Sequence, residues 1–319
     1  MFRKYSILIW LSALLIIIGT YIAVEYSGSD DSTFRDKVLS FEPKLITALH
    51  ITDHQTGEEV DIRKEGEAWM LYSDDKVYAG EPYAVRNALS MLNQLNTESI
   101  VAAKSSQWAE YKVDDEHAIQ IEIFEDGKLI ADLFIGKFDF KELPPVAPGR
   151  QPQTKITSYV RPAEETKVYA VNGLLRSNFQ GGEKPFRNRR ISICRQHTDI
   201  KKITISGPEE KFVLDLSISP WTLNGKAVDS TKIDRYLRRL ARLSSSGFLD
   251  EVNISTMTPS YTLLVEGNSF EAVSLSAFPA DTITGYYIVS SINEGSVFDG
   301  SKAGLFEKTF MGTESFLQE

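Results

Sequence analysis

The feature that most constrains the fold of this chain is an internal repeat, in which the same short segments occur twice in the same order. Residues 46–52 and 200–206 both alternate apolar and polar side chains, as a strand with one buried face does. In both places a turn, a second strand, a tryptophan in a short apolar segment and an amphipathic helix follow in the same order. Because Trp69 and Trp221 occupy equivalent positions, we expect both to be structural core residues rather than a carbohydrate-stacking platform.

Each copy contains one segment with the spacing of an amphipathic helix. The apolar positions are Val85, Leu89, Leu92 and Leu95 in the first copy, and Ile233, Leu237, Leu240 and Leu243 in the second. Asp126-Gly127 and Asn224-Gly225 favour two-residue hairpin turns, which connect antiparallel strands. The sequence therefore predicts an α+β fold: two tandem repeats of a mainly antiparallel β unit, each with one amphipathic helix, preceded by a transmembrane helix.

Breaks in the pattern indicate the organisation of the chain. Residues 180–185 combine two glycines with a proline and separate the copies. We predict the first repeat unit at residues 46–180, the second at 186–312 and a tail at 313–319. Residues 141–152 carry four prolines and fit neither copy. They favour an extended loop, either a disordered spacer or a partner-binding loop.

The N-terminal segment has the properties of a membrane anchor. Residues 5–24 contain no charged side chain, and as a helix they would span roughly 30 Å, the thickness of a bilayer core. Arg3 and Lys4 precede this segment and acidic residues follow it, so the positive-inside rule places the N-terminus in the cytoplasm. We predict a transmembrane anchor at residues 1–25, a tether at 26–45 and an extracytoplasmic remainder. A cleaved signal peptide is the alternative.

Charge and cysteine content narrow the classes of function. Lys and Arg total 35 against 44 for Asp and Glu, a formal net charge of −9, so we expect no nucleic-acid partner. Cys194 is the single cysteine and cannot form an internal disulfide, so we interpret it as a packed thiol. His50 and His54 fall in a strand and its following turn, where they do not form a zinc-type cluster. We predict no metal site.

No segment carries a recognisable catalytic motif. The sequence contains no Gly-x-Ser-x-Gly, no phosphate-binding glycine loop and no Gly-x-Gly-x-x-Gly. Acidic doublets such as Asp74-Asp75 and Glu209-Glu210 could supply the two carboxylates of a glycan hydrolase, but they lie at expected turns. We predict no catalytic residue, no cofactor and no enzymatic activity, with an envelope hydrolase built on an acidic pair as an alternative.

The helix of the second copy carries the main candidate for a binding surface. At 100° per residue its apolar side chains occupy one arc, and basic side chains fill the opposite arc. The candidate partner-binding residues are Arg235, Arg238, Arg239 and Arg242, with a weaker case for Arg187, Arg189 and Arg190. This stripe is compatible with a solvated helix face and with an electrostatic docking surface for an acidic partner or an anionic envelope polymer.

The order of several short motifs resembles a known family. In the second copy Phe-Arg-Asn-Arg-Arg-Ile at residues 186–191 precedes Trp221-x-Leu223, Leu240-x-x-Leu243 and Phe248-Leu249. The first copy has Trp69-x-Leu71, Leu92-x-x-Leu95, Ile135-Gly136-Lys137 and Tyr159-Val160-Arg161. In this order, over residues 45–310, the motifs resemble the bacterial envelope family called domain of unknown function 4340.

The resemblance implies a single-pass protein of the bacterial inner membrane, with its bulk in the periplasm. The family is often associated with ABC-type transporters and, in gliding bacteria, with motility systems, and no catalytic residues are established for it. We therefore expect a non-enzymatic, membrane-anchored binding or assembly module with a protein partner in the membrane or envelope, an accessory of such a complex. The alternative is an envelope glycan or small-solute binding protein with a cleft between the two repeats.

Overall fold

The computed structural model describes residues 36–144, 152–192, 196–217, 219–281 and 285–317. Within these residues the chain forms a nine-stranded sheet and an eight-stranded sheet. The strands of the first sheet are β1 (Ala48–Asp53), β2 (Glu58–Glu65), β3 (Ala68–Ser73), β4 (Lys76–Ala79), β5 (Thr97–Ala102), β6 (Ile119–Glu125), β7 (Lys128–Leu143), β8 (Gln153–Pro162) and β9 (Val168–Asn172). Those of the second are β10 (Ile200–Ser206), β11 (Lys211–Asp215), β12 (Thr222–Leu223), β13 (Lys226–Ala227), β14 (Tyr261–Gly267), β15 (Val273–Pro279), β16 (Tyr286–Ser290) and β17 (Phe298–Asp299).

The described residues also form five α-helices, of which two are longer than five residues. They are α1 (Pro82–Asn93), α2 (Trp108–Tyr111), α3 (Arg176–Phe179), α4 (Ser230–Leu240) and α5 (Leu305–Thr309). Short 3₁₀ turns occur at Ser105–Gln107, His197–Asp199, Lys302–Gly304 and Thr313–Ser315. The two segments with helical apolar spacing correspond to α1 and α4. In chain order α1 lies between β4 and β5, and α4 lies between β13 and β14.

The two sheets arrange their strands in the same relative order. The first runs β4-β3-β2-β1-β6-β7-β8-β9-β5, and the second runs β13-β12-β11-β10-β14-β15-β16-β17. In the first sheet β1 pairs antiparallel with β2 on one side and with β6 on the other. In the second sheet β10 pairs in the same way with β11 and β14. β5 closes one edge of the first sheet, whereas Phe248 takes the corresponding place in the second sheet through an isolated bridge to Phe298.

Two tight turns follow directly from the sequence. Asp126 and Gly127 have φ angles of 47° and 81°, and Asn224 and Gly225 have the same two values. Two consecutive residues with positive φ are what a type I′ turn requires, and its twist matches that of the strands it joins. These turns connect β6 to β7 and β12 to β13, as antiparallel hairpins.

Each sheet packs one face against its own helix to form a separate core. Val85, Leu89 and Leu92 of α1 are buried with the inward side chains of β1, β2 and β6. In the second core, Ile233, Leu237 and Leu240 of α4 pack with those of β10, β11 and β14. Alternating burial along β1 and β10 explains the alternating apolar pattern of residues 46–52 and 200–206.

The predicted α+β class is wrong, because the described chain is mostly antiparallel β. Each copy contributes one substantial helix, but its meander is far longer than the sequence pattern indicated, with β7 alone spanning 16 residues. The strands pair continuously into two large sheets, so the helices cover sheet faces rather than forming a layer of comparable size. Hydrophobic spacing identified the helices but gave no measure of how far strand pairing would extend.

Among the described residues, no helix has both the length and the apolar character needed to cross a bilayer. The anchor predicted at residues 1–25 lies outside the described residues, as do the first half of the tether, Cys194 and the central part of the proline-rich segment 141–152. The predictions for these segments stay predictions from the sequence.

The chain between the two sheets is bound to both of them. Asn188 donates its backbone N–H to Ala79 of the first unit at 2.8 Å, and Ile191 donates to Leu243 of the second at 2.8 Å. Phe186 is buried in the first core and Ile191 in the second. The chain therefore passes from the first core to the second between Phe186 and Ile191.

Candidate functional site

Helix α4 is the rigid element on which the candidate site is built. Asp229 caps its N-terminus, with Oδ1 accepting the backbone N–H of Thr231 at 2.8 Å and of Lys232 at 3.1 Å. Its buried face consists of Ile233, Tyr236, Leu237 and Leu240. Since this face is anchored in the second core, the arginines of the opposite face are held at the surface.

A buried tyrosine joins α4 to the last helix of the chain. The Tyr236 hydroxyl donates a hydrogen bond to the backbone oxygen of Thr309 at 2.7 Å. Burial raises the pKa of this hydroxyl above its ordinary value, so it stays protonated and remains a donor. The bond places α5 and the preceding turn, with Lys302 and Lys308, beside the C-terminal end of α4.

A second connection brings the segment that joins the two units to the C-terminal end of α4. Ser245 donates its backbone N–H to the backbone oxygen of Arg189 at 2.9 Å, and Arg190 forms an isolated antiparallel bridge with Ser244. Arg189 therefore lies next to the residues that follow α4, although more than forty positions separate them in sequence.

These three segments surround a surface pocket of about 420 Å³. Its lining contains five cations, Arg189, Arg239, Arg242, Lys302 and Lys308, which we call the basic patch. The remaining lining residues are Leu243, Ser244, Ser245, Ser246, Ala303 and Leu305. No carboxylate from the described parts of the chain lines this pocket. An acidic protein thus concentrates five positive charges around one concavity.

The cations of the basic patch are not neutralised by the protein itself. None of the five forms an ion pair with a carboxylate of the described residues. Lys308 donates to the backbone oxygen of Ala303, and Arg239 Nη1 lies 3.9 Å from Met311 Sδ. Both contacts orient a side chain without cancelling its charge, so the patch presents a net positive field to solvent.

The other arginines of the predicted stripe lie outside this pocket. Arg238 Nε donates to Asp234 Oδ2 at 2.7 Å, and His197 contacts the other oxygen of the same carboxylate at 3.0 Å. The bond from Arg238 lowers the pKa of Asp234. Arg238 lines an adjoining pocket of about 330 Å³ that shares Arg242, whereas Arg235 is exposed and lines neither pocket.

Arg187, the first of the three candidates in the segment between the units, is buried rather than displayed at the surface. It is 1% exposed, and its guanidinium carbon lies 3.8 Å from the ring centroids of both Tyr78 and Phe248. Nη1 donates to Asp250 Oδ1 at 2.5 Å, and Nη2 donates to Ser296 Oγ at 3.1 Å. Nη1 also lies 3.6 Å from Glu183 Oε1. Tyr78 belongs to the first unit, whereas Phe248, Asp250 and Ser296 belong to the second, so Arg187 holds the units together.

Arg190 and the two tryptophans also have local structural roles. Arg190 pairs with Glu81 at 3.1 Å, which connects the two units at their edge. Trp69 and Trp221 are each half-buried and pack against the core of their own unit rather than lying inside it. Each ring is therefore in contact with the core and still partly accessible to solvent.

Comparison with known protein families identifies the chain. A family model described as Domain of unknown function (DUF4340) matches residues 69–263. The chain belongs to this family. No curated protein and no solved structure matches it. The DUF4340 match extends from β3 to β14 and so includes Arg189, Arg239 and Arg242, whereas Lys302 and Lys308 lie beyond it.

Sequence reasoning missed the two lysines of the basic patch. Lys302 and Lys308 flank the buried Leu305 near the end of the chain, and nothing in their local spacing relates them to α4.

Proposed function

We propose that this DUF4340 chain is a non-enzymatic binding module that docks an anionic partner through the basic patch. The observation that supports the proposal is the convergence of five cations, from three separate segments, around one pocket without a neutralising carboxylate in the described chain. Three of the five, Arg189, Arg239 and Arg242, are among the candidate partner-binding residues predicted from the sequence, and Arg239 and Arg242 belong to the stripe on α4.

An exposed pocket lined by cations is better explained as a recognition surface than as a feature that stabilises the fold. Like charges held close together repel and destabilise the fold unless a counter-charge arrives. A partner that supplies this counter-charge gains affinity and is steered to the correct face. The Debye length is about 8 Å at physiological ionic strength, so such docking weakens as salt is added.

The cellular placement of this module is proposed from the sequence alone. The uncharged segment 5–24 with its flanking charges supports a single membrane span with the two sheets on the extracytoplasmic side. With the family resemblance, this supports a role as an accessory of a membrane transporter or motility complex, whose partner lies in the membrane or envelope.

Site-specific photocrosslinking in native membranes tests the proposal. A photoreactive amino acid replaces Ser246, which is exposed at the pocket, and adducts are compared in two charge variants of the full chain. Arg239→Gln/Arg242→Gln removes two cations of the basic patch. Lys226→Gln/Arg235→Gln removes two exposed cations of the same unit that line neither pocket.

The expected result is an adduct that decreases with added salt, disappears in the patch variant and persists in the control variant. Glutamine is nearly as good a helix former as arginine, so α4 itself should be unaffected. Equal adduct yields in the two variants, or yields insensitive to salt, would contradict docking through the basic patch.

A further inference from the structure

The charge density of the basic patch restricts the chemistry of its ligand. Five cations line a pocket of about 420 Å³, which is the size of a small-molecule site. An acidic protein surface offers one charge per carboxylate, each on a separate side chain. A phosphate monoester carries about −1.5 to −2 on one compact group at neutral pH, so two such groups would supply about −3 to −4 and offset most of the five positive charges within this volume.

The donor set also matches phosphate oxygens. Arg189, Arg239 and Arg242 present guanidinium groups, whose planar donors form paired hydrogen bonds to phosphate. Lys302 and Lys308 add mobile point charges, and the serines at 244–246 add hydroxyl donors from one side of the pocket. The lining therefore combines charged and neutral hydrogen-bond donors.

The acidic residues of the neighbouring segment do not compete for this position. Asp299 Oδ1 is engaged in its own turn, where it accepts the backbone N–H of Ser301 at 2.8 Å and the Ser301 hydroxyl at 2.7 Å. Glu307 is exposed on α5, and neither carboxylate lines the pocket.

The floor of the pocket is apolar and rigid. Leu243 and Leu305 are 7% and 3% exposed and belong to the second core. The backbone that carries the cations is therefore fixed by core packing at these two positions.

We infer that the basic patch recognises a ligand with two neighbouring phosphate groups, through Arg239 and Arg242 with Arg189, Lys302 and Lys308. This inference rests on the proposed function and names the chemistry of the anion that the pocket receives. A ligand whose negative charge comes from carboxylates is the competing chemistry.

Calorimetric titration of the full chain, purified in a non-ionic detergent, tests the inference. The probe is inorganic pyrophosphate at physiological ionic strength, and citrate at equal ionic strength is the carboxylate control. We expect saturable pyrophosphate binding that weakens at least about tenfold in Arg239→Gln/Arg242→Gln, since two charge-assisted contacts are lost. Lys226→Gln/Arg235→Gln should bind within about twofold of wild type, because these residues lie outside the pocket.

Three outcomes would overturn the phosphate assignment: no pyrophosphate binding, citrate binding of equal strength, or equal weakening in both variants. Circular dichroism of each variant confirms that it is folded. If pyrophosphate fails while the Ser246 adduct still disappears in the patch variant, docking through the basic patch stands and only the phosphate chemistry falls. If pyrophosphate binds as expected while the adduct is unchanged, the proposed docking function falls.

Discussion

Replacing Arg187 tests how the two units are held together. Arg187→Met keeps the aliphatic stem but removes the guanidinium that lies between Tyr78 and Phe248. The lost bond to Asp250 is charge-assisted and contributes about 1.5–3 kcal/mol. The bond to Ser296 adds about 1 kcal/mol, and contact with the two aromatic faces adds about 1 kcal/mol or more.

These terms do not add fully. Methionine regains some apolar contact, Arg187 Nε has no acceptor among the described residues, and the Asp250 side chain is 23% exposed and can rehydrate. We therefore expect Arg187→Met to lower the free energy of unfolding by about 3 kcal/mol, at the low end for breaking a buried ion pair.

Urea unfolding followed by tryptophan fluorescence and by circular dichroism measures this loss. Because Arg187 bridges both units, its removal should also separate the transitions of the two cores. Arg190→Met is the matched control, since the pair with Glu81 is partly solvated, with Arg190 39% exposed, and contributes at most about 1 kcal/mol. Equal stabilities for the two variants, within about 1 kcal/mol, would refute the role assigned to Arg187.

Three further predictions concern the cores, pH and the N-terminus. Trp69→Ala and Trp221→Ala should each cost about 2 kcal/mol in urea unfolding, less than the 3–5 kcal/mol of a fully buried tryptophan, because both rings are half-buried; near-wild-type stability would restore the stacking-platform hypothesis. Burial raises the pKa of Tyr78 to about 12, so its stabilising contribution is present below pH 10 and is lost as pH rises toward 12. Between pH 9 and 11 wild type should lose about 1 kcal/mol more than Tyr78→Phe, and an equal loss would contradict this assignment. The full chain should fractionate with membranes and a chain lacking residues 1–26 should be soluble and folded; a soluble full chain would show that the anchor prediction is wrong.

Local pattern predicted those parts of the fold that depend on neighbours along the chain. The apolar spacing located α1 and α4, and the Asp-Gly and Asn-Gly pairs located two hairpin turns. The fold class was wrong because strand pairing depends on contacts between distant segments. The long β7–β8 hairpin, for example, has a register that shifts between Ile135 and Phe138, which periodicity does not reveal.

The residues of the candidate site also fall into two groups, those that the sequence predicted and those that only the tertiary structure brought to the site. The periodicity of α4 was sufficient to place Arg239 and Arg242 on its outer face, since the buried face of a helix determines the exposed one. Lys302 and Lys308 joined them only through tertiary packing, in which the Tyr236 hydroxyl holds α5 against α4.

Arg187 and Arg189 show why sequence alone could not separate structural from available cations. Two residues apart in an extended segment, they would point to the same side of a regular strand. The segment instead leaves the first unit and joins the second between these positions, so Arg187 is enclosed between the units while Arg189 reaches the pocket. The sequence determined which side chains carry charge. The tertiary structure determined which of these charges remain available to a partner, because the burial of each side chain depends on which distant segments pack over it.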